Sequence, residues 1–108
     1  MSMINPNPSQ ITIGRYTFEG PFSQTTSLRR QSGVYAILTP TVGGSYKVLD
    51  IGESESVRDR VENHDRQSCW VRNKNGSILY AALYCGAVDR MRIERELRQQ
   101  YSPPCGDR

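Results

Sequence analysis

Three compact apolar runs, "GVYAIL" (33–38), "YKVLDIG" (46–52) and "ILYAALYC" (78–85), limit what this chain can fold into more than any other feature. A strand with one wet face alternates apolar and polar residues. In the first two runs both parities carry apolar residues, so the sheet they build needs cover on both faces. Only the segments with helical spacing can supply it. Ser56 precedes a helix over 57–64, with Asp59 in the capping-box position, and Asp89 precedes a second helix over 90–101, where Ile93, Leu97 and Tyr101 recur at helical spacing. Residues 11–18 alternate as an edge strand around Gly14 and Arg15, "TSLRRQS" suggests a helical turn, and "RNKNGS" marks a turn in a loop over 64–76. The expected fold class is α/β, a small and mainly antiparallel central sheet flanked by helices. It forms one domain over 11–108, after a flexible N-terminal arm of residues 1–10 that carries two prolines and no apolar periodicity.

A chain of 108 residues supports one modest core. No apolar run approaches the length of a membrane span, and the first residues do not resemble a signal peptide, so the expected location is the cytoplasm. Cys69, Cys85 and Cys105 are odd in number and lack paired spacing, which suits reduced thiols better than a disulfide framework. No C-x-x-C pair accompanies His64, the single histidine, so a structural zinc site is not expected. A net charge of +3 is too mild to indicate nucleic acid by itself, but 12 of the 14 basic residues are arginine, whose planar fork matches phosphate.

The loop over 39–46 suggests that the first two runs pair as an antiparallel hairpin. One register places Ala36 opposite Leu49 and Val34 opposite Ile51, which makes one face apolar, and it sets Tyr35 opposite Asp50. Directly opposed side chains have β carbons ~5 Å apart, so a phenol and a carboxylate would lie side by side. Arg60 and His64 are four apart on the following helix, and Arg60, next to Val61, is placed to reach back toward Asp50. Glu94, next to Ile93, borders the buried face of the last helix. Tyr35, Asp50, Arg60, His64 and Glu94 are thus expected to converge on one cleft.

"GVY" (33–35), "DIG" (50–52), Arg60, His64, Glu94 and the closing "SPPCG" together resemble the GIY-YIG nuclease superfamily over residues 33–106. The ordered set carries the resemblance: an arginine eight residues after the motif glycine, a histidine four later, and a glutamate in a helix that runs into a proline turn. The resemblance implies metal-dependent hydrolysis of DNA phosphodiesters, with Mg2+ or Mn2+. In it Tyr35 matches the tyrosine that accepts a proton from, or positions, the attacking water. Arg60 matches the arginine that steadies phosphate charge, Glu94 the metal ligand, and His64 a position assisting proton transfer.

The second motif tyrosine is replaced by Asp50, and Gly106 stands where the family has an asparagine. Two readings fit Asp50. It serves as a metal ligand or general base, or it pairs with Arg60 and leaves a domain that binds without cutting. Arg58, Arg66, Trp70, Arg72 and Lys74 are candidates for gripping nucleic acid, since aromatic and basic residues interleave over 64–76. Trp70 has an equal alternative as an anchor of that loop in the core. The readings kept open are a nuclease acting on DNA, including branched or damaged DNA, a nucleic-acid-binding module of the same fold, and a protein-interaction domain. A nuclease of this size would draw its site selection from DNA shape, a protein partner or oligomerisation.

Overall fold

The structure, a computed structural model, describes residues 9–106. Five strands form one sheet: β1 (Gln10–Ile13), β2 (Tyr16–Phe22), β3 (Gly33–Pro40), β4 (Tyr46–Ser54) and β5 (Leu79–Tyr84), in spatial order β1-β2-β5-β3-β4 with every neighbouring pair antiparallel. Three helices complete it: α1 (Val57–Glu62), α2 (Gln67–Asn73) and α3 (Ala87–Tyr101). The α/β class and the antiparallel sheet are as the sequence indicates. Among the described residues no helix is long and apolar enough to cross a membrane. Most of the expected N-terminal arm lies outside the described residues, and Gln10 already belongs to β1.

β3 lies between β5 and β4 and is buried from Gly33 to Thr39, as its two-sided apolar pattern requires. Val34, Ala36 and Leu38 face one way and pack with Phe18, Ile51, Ala81 and the α3 residues Ile93 and Leu97. Tyr35 and Ile37 face the other way and pack with Leu49, Ala82, Val57, Val61 and Trp70, so α1 and α2 cover that side. Ile11, Ile13, Tyr46, Val48 and Tyr101 line one groove, which means that the outer strands β1 and β4 curl toward each other over the end of α3.

Several local expectations are corrected. Residues 10–22 form two strands joined at Gly14 and Arg15, with Ile13 paired to Tyr16. The supposed loop over 64–76 contains α2, a short helix whose only buried residue is Trp70. One buried position leaves no periodicity to read. α3 starts at Ala87 after Gly86, and Asp89, instead of capping it, pairs with Arg92 one turn on. Ser56 does occupy the position before α1, but its hydroxyl donates to the Asp59 carboxylate and makes no cap to the backbone. A helical turn is present at Thr25–Ser27.

Cys69 and Cys105 form a disulfide between α2 and the closing turn, which corrects the expectation of three reduced thiols; Cys85 is free. Their pairing was hidden because both partners lie in segments without sequence periodicity. The turn after α3 folds back on β4, where the Cys105 amide donates to the Leu49 carbonyl at 3.0 Å.

Candidate active site

The β3–β4 register decides what the site is. Tyr35 lies opposite Gly52, and Asp50 lies opposite Ile37, two residues from the expected pairing. Two causes add up. Strand pairing extends to Pro40–Tyr46, where Thr41 and Ser45 close a tight loop. Leu49 then forms a bulge between the Ile37–Asp50 and Leu38–Val48 pairs. An even displacement keeps Tyr35 and Asp50 on the same face. The bulge also turns Leu49 to that face, where it joins the cluster of Tyr35, Val57 and Trp70. Gly52 is required by the Tyr35 ring: a Cβ at residue 52 would overlap the phenol oxygen and its neighbouring carbons.

Asp50 is fully buried and accepts four hydrogen bonds. Arg66 grips it with a fork, Nε to Oδ2 at 2.8 Å and Nη2 to Oδ1 at 3.1 Å. The Trp70 indole N–H donates to Oδ2 at 2.8 Å, and Arg98 Nη2 donates to Oδ1. A buried carboxylate without partners costs several kcal/mol, and this set of donors offsets that cost. Both oxygens are engaged, so Asp50 has no free position for a metal or a reacting proton. Nor does it pair with Arg60, which binds the exposed Asp65 at 3.1 Å instead. Both sequence readings of Asp50 are therefore corrected: it is a structural anchor with other arginines.

Arg98 is the principal residue that the sequence did not single out. α3 packs on the Ala36 face, while Arg98 reaches past the edge strand β4 to Asp50 on the other face. Its Nε donates to Glu94 at 3.1 Å and its Nη1 to the Cys105 carbonyl at 3.4 Å. Gly106, at φ +99°, leaves the space that the guanidinium fills. The available signal was position: Arg98 follows Leu97 at the border of the buried helix face, beside a closing turn containing glycine.

Glu94 lies one turn from Arg98 and one turn from Arg90, which binds Glu53 at 2.6 Å. It therefore stands between the α3 contacts to Asp50 and to Glu53, alongside the stretch of β4 that contains Gly52.

Tyr35 and His64 form the second half of the site. The phenol oxygen lies 2.7 Å from His64 Nε2, and the Arg66 backbone N–H donates to His64 Nδ1 at 3.0 Å. The Trp70 ring packs beside the imidazole, centroid to centroid 4.7 Å. Burial, and secondarily the charge of Asp50, pushes the Tyr35 phenol up to about 12, while Arg60 and Arg66 act in the opposite direction. Burial, then the positive charges of Arg60 and Arg66, brings His64 down to about 4. At neutral pH both groups are uncharged, and Arg60 is a neighbouring cation of both.

The candidates for gripping nucleic acid divide. Arg72 and Lys74 are exposed on and after the last turn of α2. Arg58 is partly covered and paired with Glu62 at 3.2 Å, and Arg66 is committed to Asp50. Trp70 is 2% exposed and presents no ring face to a base, so the core-anchor alternative is the one realised.

Among the described residues no group of three His, Cys, Asp or Glu side chains comes together to hold a metal ion. Magnesium keeps several waters and takes phosphate oxygens, so one or two carboxylates can hold it; Glu94 is the carboxylate that the resemblance assigns to it, and its Oε2 already accepts from Arg98 Nε at 3.1 Å. Compared with known family models, curated proteins and solved structures, the chain matches none.

Proposed function

We propose that this protein is a metal-dependent endonuclease that hydrolyses DNA phosphodiester bonds, using the constellation in which it resembles the GIY-YIG nucleases. The observation that carries the reading is the separation of two arginine roles. Asp50 is neutralised by Arg66 and Arg98, which leaves Arg60 beside Tyr35 and His64 with Asp65 as its one ion-pair partner among the described residues. An exposed pair of that kind contributes about 0–1 kcal/mol, so a phosphate can displace it at little cost. Arg60 then supplies a fixed fork for the charge that grows on the equatorial oxygens.

Tyr35 keeps its proton at neutral pH and orients the attacking water through hydrogen bonding, with His64 holding the phenol oxygen in place. A magnesium or manganese ion held by Glu94 would act as a Lewis acid on the phosphoryl group. The substrate is DNA, including branched or damaged forms, with a protein partner or DNA shape supplying selection. A cytoplasmic setting is part of the proposal; the Cys69–Cys105 bond weighs against it, because such bonds are rare in reducing compartments.

The test is cleavage of labelled single-stranded, double-stranded and branched DNA with magnesium or manganese, by wild type, Glu94→Gln and Arg60→Ala. Metal-dependent cutting that both substitutions abolish supports the nuclease. Salt-sensitive binding without cutting would replace it with a binding module, and neither binding nor cutting would leave an interaction domain.

A further inference from the structure

We propose that Asp50 and Arg66 are positioning residues that select the tautomer of His64, and thereby the direction of the hydrogen bond to Tyr35. The inference gives the proposed nuclease site its proton arrangement, and it rests on that reading for its catalytic meaning.

Arg66 has two separate engagements. Its side chain is held by both oxygens of the buried Asp50, and its backbone N–H donates to His64 Nδ1 at 3.0 Å. A nitrogen that accepts from a backbone amide carries no proton. In the neutral imidazole the proton is then on Nε2, where it is donated to the Tyr35 oxygen 2.7 Å away. Tyr35's own hydroxyl proton is then not used on His64. Asp50 also holds Trp70, whose ring flanks the same imidazole, so one carboxylate anchors two neighbours of His64. This accounts for an aspartate where the resembled family has a tyrosine: it touches no reacting atom and acts through Arg66 and Trp70.

One feature opposes the assignment. The Asp65 carboxylate lies 3.4 Å from Nδ1 and would favour a proton there, with Tyr35 donating to Nε2 instead. Asp65 is 74% exposed and shared with Arg60, whereas the Arg66 amide belongs to a residue that the buried Asp50 holds through its side chain. The charged and titratable groups around His64 are Tyr35 from β3, Asp50 from β4, Arg60 from α1, and its neighbours Asp65 and Arg66. The amide is the donor that points at Nδ1.

His64 is the only histidine, so its two nitrogens can be observed without assignment ambiguity in the full 15N-labelled chain by two-bond 1H–15N correlation. Wild type at neutral pH is expected to show the proton on Nε2, and Asp65→Ala, an exposed change, is expected to leave it there. Arg66→Gln keeps the backbone amide but releases its anchor. It is expected to give mixed tautomers and to move the titration midpoint of His64 up toward the ordinary histidine value, with Arg66→Lys intermediate. A proton on Nδ1 in wild type overturns the proposal, as does loss of the Nε2 tautomer in Asp65→Ala, or a folded Arg66→Gln with unchanged tautomer and midpoint. None of these measurements needs DNA, so they stand if the nuclease reading fails. In cleavage assays Arg66→Gln is expected to lower kcat with KM nearly unchanged, whereas a DNA-gripping Arg66 would raise KM.

Discussion

Arg98 on α3 and Asp50 on β4 form an ion pair across the edge of the sheet, with Arg98 only 8% exposed and Asp50 fully buried. It ties the helix on one face to the anchor of the site on the other. Removing one partner strands a buried charge, which typically costs about 3–5 kcal/mol. Asp50→Ala should lose stability of that order in urea unfolding. Asp50→Tyr, which would introduce the tyrosine that the resembled family has here, should be at least as destabilised and should not gain cleavage. A stable Asp50→Tyr with raised activity would refute the anchoring role.

Gly52 is where the Tyr35 phenol lies against the β4 backbone. Gly52→Ala should force the ring aside at a cost of roughly 1–3 kcal/mol, the usual range for overpacking. Thermal unfolding reports the stability loss, and the Tyr35–His64 contact should break with it. Unchanged stability together with an unchanged His64 NMR signal would show that the two residues are not so closely packed.

His64 makes stability depend on pH with a defined sign. The unfolded imidazole takes its proton near the ordinary value of 6.5, and the folded one only near about 4. Between those values the unfolded chain binds more protons, so stability falls as pH falls through this window, by an amount on the order of 3 kcal/mol at most. Urea unfolding of wild type and His64→Gln across this range should show a shallower slope in the variant, because glutamine does not titrate. Equal slopes would mean that His64 is not held neutral in the fold.

The Cys69–Cys105 bond joins positions 36 residues apart and closes a loop that includes β5 and α3. Chain-entropy reasoning gives such a crosslink roughly 3–4 kcal/mol. Dithiothreitol should lower the unfolding midpoint of wild type and leave that of Cys69→Ser unaffected. Non-reducing mass analysis supplies the direct check: one alkylated thiol without reductant and three with it would confirm the bond, and three without reductant would remove it.

The sequence by itself determined the class of this fold and named the candidates for its site. Two-sided apolar runs at 33–38 and 46–52 demand covered strands, because alternation and burial are properties of a strand and its immediate neighbours. Ile93 and Leu97 place α3 by the same local logic. Tyr35, Arg60, His64 and Glu94 were legible as an ordered set of chemically suited residues. Tertiary structure alone decided how they connect. Register depends on a loop closure and on the bulge at Leu49, neither of which leaves a periodic signal, so the two-residue displacement of Tyr35 relative to Asp50 was invisible. The partners of Asp50 depend on side chains from the turn before α2, from α2 and from α3. Arg66 and Arg98 reach it from 16 and 48 residues away, past Arg60, which is nearer in sequence. A buried charge takes whichever donors the packed backbone presents to it, and that choice is made only after the helices have docked.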